Sequence, residues 1–396
     1  MVSNTGSWMQ RVAQDWLVLQ LTHDSGTALG ITTGLQFLPL LLFGLWGGVI
    51  ADRYSKRGIL MVTQAAMGGL ALLLGALALT GSVRIWEVYL LAFALGMVTV
   101  VDNPTRQAFA VEMVGADGMA NAIALNSAVF NLARIAGPAI AGLVIGLVGT
   151  PAAFLINAAS YGAVLIGLKL MRPDELHPAR RTPRGGGQLR EALSYVRAQP
   201  GLWMPLILLF FVSTFGMNFQ VTTALMSRTV FHTGASAFGF ASAMFALGAL
   251  GGALLAARRS RPTLRLLLAT SFAFSVFEIV TGMAPSYLTF LAALVPTGVA
   301  MIIYTTAANS STQLNTTPEM RGRVMGLYML VFLGGTPLGS PLAGWVAEVA
   351  GARLSMIAGG VISMVATLVI TAVLARNGSV RVRRYTRSAE LARSTV

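Results

Sequence analysis

Long apolar runs follow one another along almost the whole chain, and short stretches rich in glycine, proline or charge separate them. Each run is about 20 residues long, the length that an α-helix needs to cross the hydrocarbon core of a bilayer. We therefore predict an all-α membrane protein with about 12 transmembrane helices. The first set lies near residues 3–22, 28–51, 58–80, 85–105, 119–147 and 151–171, and the second near 202–225, 236–257, 264–283, 286–308, 322–347 and 353–375.

The segment between the two sets has a different composition. It contains Arg180, Arg181, Arg184 and a glycine run at 185–187, which is typical of a flexible basic linker. The predicted organisation is a first bundle over 1–171, a linker over 172–200, a second bundle over 201–375 and a basic tail over 376–396.

The two sets of helices repeat each other in sequence. Residues 114–125 align with 316–327 and residues 137–142 with 339–344, both at an offset of 202, and residues 47–57 align with 251–261 at an offset of 204. Near-constant offsets predict two pseudo-symmetric six-helix bundles of the same orientation. Transporters built from such parallel repeats bind substrate at the interface between the halves.

Composition supports a membrane protein and argues against an enzyme. The mean hydropathy is +0.71 and only 11% of residues are charged, whereas a soluble domain carries about 25%. The chain has no cysteine and only three scattered histidines, so we expect no metal and no cofactor. Neither lysine is followed by serine or threonine, so no phosphate loop for ATP hydrolysis is present.

The positive charge is distributed as a topology signal. The net charge is +14, but 22 of the 28 basic residues fall in one alternate set of loops and only three in the opposite set. The positive-inside rule then places the linker and both termini in the cytoplasm. This distribution favours a lipid bilayer over nucleic acid as the partner.

The sequence at the end of the second predicted helix resembles a known loop motif. Gly48-Val-Ile-Ala-Asp52-Arg53-Tyr-Ser-Lys56-Arg57 is similar to the loop 2–3 motif of the major facilitator superfamily. Residues 8–22, 103–107 and 321–323 resemble the bacterial branch of enterobactin-exporter-like and macrolide-efflux-like permeases. The resemblance implies a 6+6 fold in the bacterial cytoplasmic membrane, a monomer, and a small-molecule substrate exchanged against a coupling ion, the proton.

Two departures from the family pattern affect these expectations. Met1 falls inside the first helix, so we expect either a short first helix or a start that is assigned at the wrong residue. The arginine that many proton-coupled exporters carry in mid helix 4 is missing from residues 90–101. A proton site is therefore expected elsewhere.

The loop motif has a physical interpretation as a cytoplasmic gate. Asp52 can accept hydrogen bonds from the exposed N–H groups at the start of the eleventh predicted span, near Arg321–Val324. Arg53 and Arg57 share a helix face and are expected to hold Asp102, while Gly48 allows close helix packing. The alternative is that these charges only set topology.

Charged side chains inside the predicted spans are the main functional pointers, since each costs about 2.5–3.5 kcal/mol to insert. We expect them to line a central cavity for substrate and protons. The predicted cavity residues are Arg11, Gln14, Asp15, Asn131, Arg134 and Asn218. The alternative is a structural Arg11–Asp15 pair with Arg134 as a packing anchor. Glu278 falls in helix 9, which the resemblance makes peripheral.

Gly137-Pro138 resembles the glycine–proline motif of antiporters and is expected to bend helix 5. The favoured function is therefore proton-driven efflux of a small amphipathic molecule such as a drug, antibiotic or siderophore, by alternating access. An uptake permease and a transport-dead sensor or scaffold are the alternatives.

Overall fold

The computed structural model describes residues 1–172, 188–258 and 263–376, and these residues form helices and no β-strand. The helices are α1 (Val2–Leu21), α2 (Gly26–Arg53), α3 (Lys56–Leu79), α4 (Ile85–Val148), α5 (Thr150–Leu170), α6 (Gln188–Arg197), α7 (Pro200–Phe211), α8 (Phe219–Leu225), α9 (Ala235–Ala257), α10 (Leu264–Gly282), α11 (Tyr287–Leu314), α12 (Pro318–Gly334), α13 (Thr336–Ala350) and α14 (Ala352–Arg376). Two π-helical turns, Val212–Gly216 and Met226–Val230, continue α7 and α8.

The helices confirm the predicted all-α membrane fold. In the described ranges, 11 helical segments are long and apolar enough to cross a membrane. The remaining predicted span is α1, which is too polar to qualify by composition. Its polar side chains Gln10, Gln14 and Asp15 are buried against other helices. Burial inside the bundle, and not lipid exposure, accounts for its composition.

The fourth and fifth predicted spans are present as two separate apolar segments, but the connection between them is helical, since helical hydrogen bonding continues through α4 from Ile85 to Val148. Residues 106–114 contain no glycine or proline and are rich in good helix formers. A straight helix would separate Arg106 from Gly137 by about 46 Å. Both lie beside the start of α1, where Arg106 bonds to Asn4 and Gly137 packs against Trp8. The chain therefore reverses direction between them.

Two other predicted spans are interrupted. The predicted span near 202–225, which we call helix 7, comprises α7, a π-helical turn and α8. It breaks at Met217 and Asn218, between the π-helical turn and α8. The span near 322–347 is divided at Gly335 into α12 and α13. Pro337, at the start of α13, has no N–H to continue the helical hydrogen bonding.

The predicted linker is not irregular throughout. Residues 188–197 form α6, which buries Ala192 and Val196 on one face. These residues are four apart and so lie on the same side of a helix. The rest of the linker, 173–187, and the tail beyond 376 lie outside the described residues.

The loops group at two ends of the bundle. We call the end that carries Arg53, Lys56, Arg57 and Arg321 the basic end, and the other the opposite end. The opposite end contains residues 22–25, 80–84, 231–234 and 283–286. The first half comprises α1 to α5 and the second half α7 to α14. The halves meet mainly where α2 packs on α13 and α4 packs on α9.

Candidate functional site

A buried carboxylate on α1 joins the two halves. Asp15 is only 1% exposed, and its Oδ1 accepts a hydrogen bond of 3.1 Å from the Gln220 side chain of α8. Its Oδ2 has no hydrogen-bond partner in the described structure. An unpaired oxygen of a buried carboxylate is costly in free energy. The position is therefore suited to a proton or a ligand group.

Two arginines lie around one indole ring. The Arg11 guanidinium is 4.7 Å from the Trp8 ring centroid and 5.7 Å from that of Phe37. The Arg134 guanidinium is 5.8 Å from the same Trp8 ring. Stacking on an aromatic face holds a cation while leaving its N–H groups available. The structure thus brings Arg11 of α1 and Arg134 of α4 together at Trp8, and Asp15 lies one helical turn beyond Arg11 on α1.

The alternative of a structural Arg11–Asp15 pair stays open, because the two opposite charges attract each other in this conformation. No salt bridge joins these two side chains in the described part of the chain. Arg11 stacks on aromatic rings, and Asp15 bonds to Gln220 instead. The i,i+4 spacing permits the pair, but the neighbouring helices offer each group another partner.

Other polar side chains complete the site. Gln14 donates to Gln36 of α2 at 3.4 Å, and both residues are buried. Asn131 is half-buried on α4, one turn before Arg134. Trp8, Gln36 and Gln220 were not among the predicted site residues. Both glutamines fall inside predicted spans, and a polar amide within a span was the signal available in the sequence.

Asn218 does not join this cluster as predicted. It is 4% exposed, and its amide donates to the Thr214 carbonyl at 2.7 Å while accepting from the Ser340 hydroxyl at 3.0 Å. The break in helix 7 leaves the Thr214 carbonyl without its usual helical partner. Asn218 satisfies that carbonyl and ties the break to α13.

Gly137 and Pro138 lie at a crossing of three helices. A Cβ atom at Gly137 would lie 2.5 Å from the Trp8 Cβ, so only glycine lets α4 approach α1 this closely. Gly239 of α9 packs against the Pro138 carbonyl. Helix α4 continues through Pro138, and a bend there stays a prediction.

Polar contacts join the halves at the opposite end. Asp24 and Arg228 form a salt bridge of 2.8 Å. Glu348 of α13 accepts from the Ser25 hydroxyl at 2.8 Å and from the Thr27 N–H at 2.9 Å. The start of a helix carries a partial positive charge, so it is a favourable position for a carboxylate.

Glycine packing differs between the two ends of the bundle. Near the opposite end, a Cβ atom at Gly26 or Gly30 of α2 would collide with the backbone of α13. Near the basic end, a Cβ atom at Gly322 or Gly326 of α12 would meet nothing within 4 Å in the described structure. A Cβ at Gly44 of α2 would meet only Leu40 of its own helix. These glycines therefore bring the halves into close contact near the opposite end, and not at the three positions near the basic end.

The predicted pairing of Arg53 or Arg57 with Asp102 is wrong in this conformation. Asp102 is 1% exposed and binds Arg106 at 2.8 Å, and it also accepts from Thr63 and Gln64. Arg57 donates instead to the carbonyls of residues 168 and 169 at the end of α5. Arg106 is four residues from Asp102, so the two side chains lie on the same face of α4.

The rest of the loop motif lies at the surface of the basic end. Arg53 is exposed and Asp52 and Gly48 are half-buried. Lys56 forms a salt bridge of 2.7 Å with Glu112 of α4. Gly47, one position before Gly48, packs against the backbone of Val100 on α4. Close packing at Gly48 itself stays a prediction.

The start of α12 contacts the linker helix. Tyr195 of α6 accepts from the Thr317 N–H at 3.3 Å, and Glu191 pairs with Arg323. The hydrogen bond from Thr317 lowers the pKa of the Tyr195 phenol. These contacts lie at the start of α12, where Asp52 was expected to accept hydrogen bonds.

The fold and the charged groups between its halves define a membrane transporter, and not an enzyme. The family model described as "transmembrane secretion effector" matches residues 1–386. The chain therefore belongs to this family of the major facilitator superfamily, which confirms the resemblance found in the loop motif.

The chain is similar to several characterised bacterial transporters. It is 28% identical to the multidrug efflux pump Tap of Mycobacterium tuberculosis over 392 residues, covering 90% of this chain and 87% of the pump. It is 21% identical to macrolide efflux protein A of Streptococcus pyogenes over 345 residues, 85% of each chain. It is 26% identical to the staphyloferrin A transporter of Staphylococcus aureus over 250 residues, 62% of each chain. This last match spans less than two thirds of that transporter.

Solved structures show the same fold at low identity. A bacterial homologue of the human lysosomal transporter Spinster, in an inward-facing and occupied conformation, has a TM-score of 0.75 and 16% identity, covering 93% of this chain and 94% of that chain. A D-xylose–proton symporter has a TM-score of 0.71 and 11% identity, covering 93% and 95%.

Proposed function

We propose that this protein exports a small amphipathic molecule from the cytoplasm by alternating access, driven by proton antiport. The observation that carries the proposal is Asp15, a buried carboxylate at the junction of the halves with one unpaired oxygen. Acidic groups in this environment are typical of proton pathways in membrane proteins.

The charge distribution supports the orientation. Basic loops face the cytoplasm under the positive-inside rule, so the basic end is the cytoplasmic end and both termini lie there. The end at which Gly44, Gly322 and Gly326 make no contact between the halves would then face the cytoplasm, where a substrate for export would enter. The Asp24–Arg228 and Glu348 contacts would close the path on the outer side.

The local chemistry supports a role for Asp15 in coupling. An ionised Asp15 accepts a hydrogen bond from Gln220 and is attracted to the cationic group of Arg11. Protonation removes the charge and weakens both interactions. A proton arriving from outside would therefore loosen the contact between α1 and α8, which belong to different halves. Substrate binding from the cytoplasm would favour release of that proton.

The site also supports an amphipathic substrate. Trp8 and Phe37 offer aromatic faces, and two guanidinium groups beside them offer hydrogen-bond donors. A molecule with an apolar body and several oxygen acceptors fits this combination. The efflux proteins named above support export of drugs, macrolides or siderophores as the substrate class.

The test uses everted membrane vesicles energised with a proton gradient. Uptake of erythromycin and of ethidium into vesicles reports outward transport in the cell. The wild type should accumulate at least one of the two against its gradient. Asp15→Asn should abolish accumulation while retaining binding within a few-fold. Glu87→Gln, at the outer capping position of α4, is the matched control. Gradient-driven accumulation by Asp15→Asn at the wild-type rate would refute the assignment.

A further inference from the structure

A second carboxyl group is buried in the other half of the protein. Glu278 of α10 is 3% exposed, and its Oε2 has no hydrogen-bond partner in the part of the chain that the structure describes. The proposed transport site does not use it. A glutamine or an apolar residue would be cheaper to insert at this position, so the carboxyl group needs an explanation.

Two glycines make room for this carboxyl group. A Cβ atom at Gly216 would lie 3.0 Å from Oε2, and one at Gly359 of α14 would lie 2.9 Å from Oε1. A side chain at either position would therefore press on the carboxyl group. Gly216 ends the π-helical turn of helix 7, so Glu278 lies against the point where that helix breaks.

A carbonyl oxygen and a hydroxyl lie near the carboxyl group. The Phe215 carbonyl oxygen lies 2.5 Å from the same Cβ position at Gly359 as Oε1. The Ser363 hydroxyl lies 2.6 Å from the Cβ position at Gly216, and it too is buried without a partner. An ionised carboxyl group would face the negative end of the Phe215 carbonyl dipole, whereas a protonated one carries a hydrogen-bond donor toward these oxygens.

Charged residues on the surrounding helices are already engaged. Arg353 of α14 donates to the carbonyl of Gly282 at 3.2 Å and also to that of Ala284. Arg228, on the π-helical turn after α8, pairs with Asp24. The sequence of α11 contains no charged residue. An ionised Glu278 would therefore have no counter-ion in this conformation.

We propose that Glu278 is a second proton-binding site, and that its proton controls the break in helix 7. Bound to a proton, the carboxyl group fits among the oxygens that surround it. Loss of the proton places a charge against Phe215 and Gly216 and favours a different arrangement of the break. The ligand is a proton exchanged with solvent, and no other reactant is needed.

This site is linked to the first one through helix 7. Gly216 is followed within four residues by Gln220, which bonds to Asp15 across the interface. A rearrangement of the break would therefore move Gln220. This coupling to transport rests on the proposed function, whereas proton binding at Glu278 does not.

The test is pH-difference infrared spectroscopy on the purified protein in lipid nanodiscs, with no substrate present. The wild type should lose a carboxylic acid C=O stretching band as the buffer is changed from acid to alkaline. Glu278→Gln should remove that band from the difference spectrum. Asp15→Asn and the exposed control Glu87→Gln should retain it. Ser363→Ala keeps the carboxyl group but removes a neighbouring hydroxyl, so it should shift the frequency of the same band.

Several results would overturn the proposal. One is a difference spectrum that Glu278→Gln leaves unchanged. Another is a Glu278 band that persists at alkaline pH, because the group would then be permanently neutral and structural. Loss of the band on addition of sodium at constant pH would assign the site to a metal cation. Failure of the vesicle transport assay would leave the infrared result valid, since that measurement involves no substrate.

Discussion

The Gln220 amide donates a hydrogen bond to the Asp15 carboxylate across the interface between the two halves. Asp15 is on α1 and Gln220 on α8, so 205 positions of sequence separate them. The contact connects the buried acid of one half to the broken helix of the other. It gives a direct route by which a proton on Asp15 can affect how the halves fit together.

Removing the Gln220 amide should change the pH dependence of transport. Gln220→Leu deletes the donor to Asp15, and a hydrogen bond to a charged group contributes about 1.5–3 kcal/mol. The ionised form of Asp15 loses that stabilisation, so the acid midpoint of the pH profile should move to higher pH by about one unit or more. Transport in everted vesicles over a pH series measures this. Gln313→Leu, an exposed glutamine on α11, is the control. An unchanged midpoint would separate Gln220 from proton coupling.

The contacts at the opposite end should hold the halves together in the present conformation. Asp24→Asn and Glu348→Gln remove charge from groups that bridge the halves. Asp24 has a φ of 68°, a conformation that asparagine tolerates, so the first change should not strain the backbone. Exposed polar pairs contribute about 0.2–1 kcal/mol each. The double variant should therefore shift the conformational ratio a few-fold toward a state open at the opposite end.

Distances between spin labels measure this shift in the naturally cysteine-free chain. Ser82 and Met283 are exposed at the opposite end on different halves, and Ser55 and Leu314 are exposed at the basic end. The double variant should increase the first distance and decrease the second. Wild-type distributions at both ends would show that these contacts do not hold the closed end.

The loop motif should stabilise the conformation closed at the basic end. In the present conformation the start of α12 contacts Tyr195 and Glu191 of the linker helix. We expect Asp52 to interact with this helix start when the halves close there. Asp52→Asn should then express normally, lose transport and lengthen the mean Ser55–Leu314 label distance. Glu319→Gln, which likewise removes one negative charge but on the exposed first turn of α12, is the control. Normal transport and distances in Asp52→Asn would reduce the motif to a topology signal.

The orientation can be tested with single cysteines. Leu193 is exposed on the linker helix, and Ser82 is exposed in the loop before α4. An impermeant thiol reagent added to intact cells should label a cysteine at Ser82 and not one at Leu193. Everted vesicles should give the reverse pattern. Labelling of Leu193→Cys from outside intact cells would contradict the cytoplasmic placement of the basic end.

The sequence by itself determined the membrane class, the all-helical fold and the family. Apolar runs of membrane-spanning length follow from the cost of exposing polar backbone to lipid, so they can be recognised without knowing their neighbours. The loop motif around Asp52 and the excess of arginine in alternate loops are likewise local features. Arg11, Asp15 and Arg134 could also be selected from the sequence as candidate site residues, because an intramembrane charge is costly wherever it occurs.

The partners of these charges were decided only by the tertiary structure. The helical spacing of Arg11 and Asp15 permits a pair, yet Arg11 stacks on Trp8 of its own helix and on Phe37 of α2, and Asp15 bonds to Gln220 of α8. Asp102 binds Arg106, and not an arginine of the loop motif, because α4 continues as a helix past Val101. The Glu278 carboxyl group fits between its neighbours because Gly216 and Gly359, on two other helical segments, have no side chains. Spacing along one helix fixes which side chains share a face, but not which distant helix packs against that face.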